Sequence, residues 1–222
     1  MELYHGSNLI VEKPVFGGGN LRNDYGLGLY CTKEPDLAKE WACASEDNGF
    51  ANHYAIDDKG LSTLYLNDGQ YNILNWLAIL LENRTFDLST PLSVQGKKYL
   101  LDNFLPDYKG YDIITGYRAD DSYFSFSKAF LANGITLEQL KRAMKPGKLG
   151  EQVVIKSKEA FERMYFIKAE PVDASIYYPK RMYRDRTARQ DYRTILQESP
   201  ASDAVFLSDI LKEKWSNDDA RL

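Results

Sequence analysis

The chain is predicted to be a mixed α and β protein, and three observations carry that expectation. Short apolar runs at Met1–Tyr4, Gly28–Thr32 and Tyr111–Gly116 have the length and composition of strands. Asn72–Asn83 (NILNWLAILLEN) is apolar nearly all round, which marks a helix buried on most sides. The 222 residues contain no repeat, low-complexity segment or convincing linker, so residues 1–222 are expected to form one domain with a substantial core.

The elements follow in order. Gly17-Gly18-Gly19-Asn20 separates the first two strands; no lysine and helical pattern follow it, so it is a turn rather than a phosphate loop. Pro35, between Glu34 and Asp36, suits a helix start, where a missing N–H costs nothing and negative charge is favoured. Thr136 with Gln139 forms a capping-box pattern for a helix through Ala143, stopped by Pro146-Gly147. Val153–Ile155 predicts a strand, Lys158–Met164 a short helix, and Tyr165–Val172 another strand.

Composition excludes several classes. No apolar run approaches membrane-spanning length and no signal peptide is visible, so the expectation is a cytoplasmic protein with no membrane contact. Cys31 and Cys43 form neither a disulfide framework nor a metal-ligand spacing; no metal is expected, and Cys31 suits a small buried thiol. A formal net charge of −4 argues against general coating of nucleic acid, though not against a local basic groove.

Two stretches point to a site, Leu3-Tyr4-His5-Gly6-Ser7 and Asp24-Tyr25-Gly26-Leu27-Gly28-Leu29-Tyr30. Glycines at alternate positions describe a backbone running very close to a ligand or to another backbone. Tyr30 then offers a flat face beside that path. His5-Gly6 repeats the idea with a polar ring followed by a residue lacking a side chain. Singly, each has a plainer reading: a packed histidine, a bulge, a core aromatic. Their combination suggests a cleft for a flat ligand. His53 has no matching motif and reads as structural.

These residues resemble the first two signatures of the diphtheria-toxin-like ADP-ribosyltransferases, the branch that includes the poly-ADP-ribose polymerases: a "YHG(S/T)" strand and a "(F/Y)GxGxYF" strand. The resemblance spans Leu3 to about Trp215. It implies an α+β fold with an ADP-ribosyltransferase-like split, curved β-sheet flanked by helices, and NAD as substrate. It further implies that His5 grips the NAD ribose, that Gly6 leaves its backbone free for the carboxamide, and that Ser7 completes the binding strand. Tyr30 and Trp41, the latter on the helix after Pro35, would sandwich the nicotinamide. The third signature, a strand opening with Glu or Gln, matches Glu151-Gln152-Val153-Val154-Ile155. The implied activity is mono-ADP-ribosyl transfer to a macromolecular acceptor, protein or nucleic acid. NAD glycohydrolysis and a catalytically silent NAD or ADP-ribose reader are the alternatives. The layout also resembles an uncharacterised bacterial subfamily with Gln at the third place. Some of its relatives are toxins of toxin–antitoxin systems, which makes an antitoxin protein a candidate partner.

Glu151 and Gln152 are adjacent, so in a strand only one can face the cleft. Register with the family favours Gln152 as the third catalytic residue beside His5 and Tyr30. A neutral amide stabilises a developing cation less than a carboxylate, which argues against polymer elongation and for transfer of a single unit. Two further segments stand out. Arg118-Ala119-Asp120-Asp121 reads as a turn or cap that can rim the cleft. Lys180–Arg193 is basic and interleaved with tyrosines, a pattern that can hold a phosphate backbone. The favoured alternative there is a solvated helix with Ala188, Tyr192, Ile195 and Leu196 on the core.

Overall fold

The computed structural model describes residues 1–118, 121–144 and 150–222, and they form an α+β architecture of two sheets and several helices. One sheet is antiparallel in the order β1 (Glu2–Ser7), β3 (Gly49–Ile56), β7 (Met164–Val172). The other runs β2 (Leu29–Cys31), β6 (Glu151–Ile155), β5 (Ile113–Tyr117), β4 (Thr63–Tyr65), with β4 and β5 parallel. The two sheets touch where Tyr4 and Thr32 exchange backbone hydrogen bonds of 2.8 and 2.9 Å.

Alternation along β1 puts Leu3 and His5 on one face and Tyr4 and Gly6 on the other. Leu3 joins Ile56, Cys31, Ile113, Val153 and Ile155 in a core between the sheets. Each aliphatic side chain so buried contributes about 1.5–3 kcal/mol. The outer face of the three-stranded sheet carries α1 (Pro35–Ala42) and the start of α7 (Ala174–Gln197). The far face of the four-stranded sheet, with Leu64, Ile114 and Val154, packs on a helical layer. That layer contains α2 (Ile73–Asn83), α3 (Pro91–Phe104), α4 (Asp121–Leu131), α5 (Leu137–Ala143) and α8 (Leu207–Glu213).

Local signals account for several boundaries. Asn72 caps α2 by accepting from the N–H groups of Leu74 and Asn75, and Ile73 through Leu81 are all buried, as the run of apolar residues requires. Thr136 and Gln139 cap α5 reciprocally, as their spacing predicts. The expected stop at Pro146-Gly147 lies outside the described residues, as do Ala119 and Asp120. β1 runs on to Ser7 because its pairing with β3 continues to Ser7 opposite Phe50. The short helix α6 (Lys158–Glu162) ends before Met164, which instead pairs with Ile56 in β7.

The basic segment from Lys180 to Arg193 lies within α7, a single helix of 24 residues. Ile195 is buried and Ala188 half-buried, but Leu196 is exposed, which corrects its expected core position; the Tyr192 side chain is outside the described residues. Arg184 is turned inward to Glu40 of α1 in a bidentate ion pair. Among the described residues no helix is long and apolar enough to cross a membrane.

Candidate active site

A cleft of about 430 Å³ opens beside the junction of the two sheets, within the size class of small-molecule sites. Its lining includes His5 from β1, Tyr30 from β2 and Gln152 from β6, together with Asp24, Arg84 and Arg118. Three residues separated by up to 147 positions in sequence (5 to 152) are thus brought to one cleft. The pairing of β2 with β6 explains part of this. Tyr30 lies opposite Val154, so Tyr30, Val154 and Gln152 share a face of that sheet.

His5 is oriented by its neighbour. Its Nδ1 lies 2.8 Å from the Tyr30 carbonyl oxygen, which can only accept, so Nδ1 carries the proton. The neutral ring then presents Nε2 as an acceptor, and Nε2 has no partner among the described residues. Burial lowers the His5 pKa against the raising effect of that carbonyl, which favours the neutral form. Tyr30 makes three hydrogen bonds with two groups. Its carbonyl holds His5, its hydroxyl donates to the Gly26 carbonyl at 2.6 Å, and that hydroxyl accepts from the Tyr25 N–H at 3.0 Å. Burial pushes the phenol far above its ordinary range, so it stays neutral.

The glycine pair is there for backbone reasons. Gly26 has φ +74°, the left-handed region, and forms the turn that Tyr30 clamps. A Cβ on Gly28 would lie 2.7 Å from the Ile155 carbonyl oxygen, so β6 is what approaches it. Gly6 likewise lets α1 sit directly on β1, since its Cβ would be 1.9 Å from the Ala38 carbonyl oxygen. Gly6 keeps the sense of Tyr4, two residues earlier, so its N–H and C=O point past the Tyr4–Thr32 bridge, away from β3.

Gln152 is 3 % exposed, and its amide is held at two points. Nε2 donates to Asp24 Oδ2 and to the Tyr117 carbonyl, both at 3.0 Å. Both partners only accept, so the nitrogen must face them and Oε1 is left for the cleft. Asp24 Oδ1 in turn lies 3.0 Å from Arg84 Nε in an ion pair. Glu151 turns to the other side, where it accepts from Asn67 Nδ2 at 3.1 Å, and it does not line the cleft.

The remaining sequence-derived candidates, Gly6, Ser7 and Trp41, are not in the lining. Ser7 is used in the loop that follows β1, donating to the Leu9 carbonyl at 2.6 Å and accepting from Asn52. Trp41 is not in the lining; the Arg118 guanidinium lies over its ring at 5.0 Å and meets the cleft in its place. Sequence reasoning included Asp24 in the motif without giving it a role, and missed Arg84 as a member of the site and Asn52, which is fully buried and ties His5, Ser7, Leu9 and Val11 together. Neither signal is local: the burial of Asn52 follows from the placement of β3 between β1 and β7, and Asp24 and Arg84 meet only through the fold.

Fold and site together define an α+β protein with a largely apolar cleft, walled by both of its sheets, into which a few polar and charged side chains converge. The chain belongs to the DUF3990 family, described as a protein of unknown function, which matches residues 1–166. That span contains every residue named in the cleft and leaves α7 and α8 outside. No curated protein and no solved structure matches the chain.

Proposed function

We propose that this protein is an NAD-dependent mono-ADP-ribosyltransferase whose site is the His5–Tyr30–Gln152 cleft, with an ADP-ribosyltransferase-like arrangement of its split sheet. The observation that carries the reading is that three acceptor or stacking groups, from three strands, converge on one cleft: His5 Nε2, the Tyr30 ring and Gln152 Oε1. The nicotinamide ring stacks on Tyr30, and its carboxamide meets the outward N–H and C=O of Gly6. Ribose hydroxyls donate to His5 Nε2 and Gln152 Oε1. Arg118 supplies positive charge for the diphosphate, Arg84 being paired with Asp24. The bond from ribose C1′ to the nicotinamide nitrogen breaks with its electron pair leaving on a neutral nicotinamide. Positive charge grows on the sugar, as in glycoside hydrolysis, and an acceptor atom bonds C1′ and gives up its proton to water.

A protein acceptor is favoured by the loop between β1 and β2. Leu9, Ile10, Val15, Phe16 and Leu21 are all exposed there, and Val15 is both 74 % exposed and part of the cleft wall. Clustered exposed apolar side chains suit contact with another protein surface.

The reading is tested with purified protein, NAD labelled in the adenylate phosphate, and lysate. NAD at a hundred times its Kd stabilises the fold by about 2.7 kcal/mol, raising Tm by roughly 5–10 °C. His5→Ala should lose that rise. Nicotinamide release with label on protein supports transfer, and release without label means hydrolysis. Neither a Tm rise nor nicotinamide release at millimolar NAD would remove the proposal.

A further inference from the structure

We infer that Asp24 is a positioning residue for Gln152, and that its carboxylate is the reason an amide rather than a carboxylate works at position 152. The inference rests on the transferase reading for its kinetic consequence, but its physical core concerns this chain's own side chains. Charge alone favours a glutamate beside a developing cation. The surroundings of position 152 oppose it. The inner atom of the Gln152 amide sits 3.0 Å from Asp24 Oδ2 and 3.0 Å from the Tyr117 carbonyl oxygen. An NH₂ satisfies both acceptors at once. A glutamate oxygen there would face two oxygens, one of them a carboxylate that is itself buried. Two carboxylates at that separation cannot both stay ionised, so the second either takes a proton or swings out of place. A glutamate at 152 therefore loses the charge that would have made it useful.

The same contacts fix the amide's sense. Reversing it would aim Oε1 at the two acceptors and turn the NH₂ towards the ribose, where a donor withdraws electron density from a sugar that is gaining positive charge. Asp24 can hold this position because Arg84 Nε lies against its other oxygen at 3.0 Å and because the Gly26 turn, clamped by the Tyr30 hydroxyl, carries it. Asp24 touches no substrate in this scheme. It acts through Gln152.

The test compares wild type, Gln152→Glu, Asp24→Asn and the double variant Asp24→Asn with Gln152→Glu. Nicotinamide release gives kcat and KM, and Tm is read with and without NAD. Gln152→Glu should lower kcat by at least about tenfold while KM moves less than about threefold, because the lost interaction belongs to the transition state. Asp24→Asn should show the same pattern. The double variant places an amide beside a carboxylate again with their positions exchanged, while the Tyr117 carbonyl still faces the introduced oxygen, so it should recover part of the loss, at least about threefold in kcat over Gln152→Glu. The unliganded Tm should follow, falling in Gln152→Glu and returning in the double variant. A Gln152→Glu protein as active as wild type, or a double variant no better than the two losses multiplied, overturns the inference while leaving the transferase reading intact. If wild type neither binds NAD nor releases nicotinamide, that reading falls, and the unliganded Tm cycle decides the Asp24–Gln152 coupling: additive Tm changes overturn it.

Discussion

Replacing Arg184 with alanine should destabilise the protein without touching the cleft. The guanidinium donates from Nε to Glu40 Oε2 at 2.8 Å and from its second nitrogen to Oε1 at 2.9 Å. Glu40 is 4 % exposed, so the carboxylate depends on that partner for its charge to be tolerated in the interior. Breaking a buried pair from one side costs about 3–5 kcal/mol. The Arg184 side chain is 31 % exposed, so water entering its place offsets part of the loss and the figure falls near the lower end, about 3 kcal/mol. For a chain of this size that is a Tm decrease of roughly 6–12 °C. The opposite truncation is milder, because an arginine already in reach of water rehydrates; Glu40→Gln should cost about 1 kcal/mol. Urea denaturation measures both, and a shifted midpoint at constant slope identifies a change in stability. Equal losses from the two single variants, or a loss below about 1 kcal/mol for Arg184→Ala, would refute the argument from a stranded buried charge.

Three further outcomes are expected. Gly6→Ala places a Cβ 1.9 Å from the Ala38 carbonyl oxygen and 2.6 Å from the Ala42 nitrogen, both backbone, and should cost at least the upper end of about 1–3 kcal/mol. Gly110→Ala, with nothing within 4 Å, is the neutral control by thermal denaturation. The lowered pKa of His5 means that the unfolded chain binds the extra proton first on acidification. His5 thus contributes stability that is present above about pH 6.5 and lost as pH falls through its lowered folded value, and His5→Gln should flatten that part of the stability–pH curve. If α7 guides a nucleic acid, Arg186→Gln with Arg193→Gln, seven residues apart on one helix face, should weaken labelling of that acceptor and reduce the salt slope by about 1.4–1.8 while nicotinamide release is unchanged; undiminished labelling returns the helix to a solvated face.

Legibility differed by the range of the cause. Capping at Thr136, the Pro35 helix start and the apolar strand after Gln152 are local chemistry, and each was readable from adjacent residues, whereas Asn72, read as part of its helix, is the cap before it. β3 was not anticipated: GFANHYAI contains a glycine, an asparagine and a histidine, and its strand character comes from lying between β1 and β7. α3 was also missed, although Thr90 caps it and Pro91 opens it. Its internal Gly96 weakens the helical pattern, and the reason for it is distant, since a Cβ there would meet Leu207 of α8 at 2.4 Å. The glycines near the site were informative about close approach, but the approaching atoms belong to α1 and β6. Likewise Arg184 reads in sequence as one more exposed cation, and only the packing of α7 on α1 makes it a partner of a buried glutamate.

Tyr30 connects these facts to the chemistry. Its carbonyl sets the tautomer of His5, and its hydroxyl closes the Gly26 turn that bears Asp24. Its strand pairing places Gln152 two residues before its own partner, Val154, and Asp24 then fixes the amide of Gln152. Tyr30 therefore orients one acceptor, His5, directly and the other, Gln152, only through the turn that carries Asp24. A site assembled from three strands would ordinarily need separate supports for each side chain. Here the backbone and hydroxyl of one half-buried tyrosine supply part of that support and the Tyr117 carbonyl and the Asp24–Arg84 pair the rest, so strands that meet at the Tyr4–Thr32 bridge still hold their polar groups in a defined relation across the gap between two sheets.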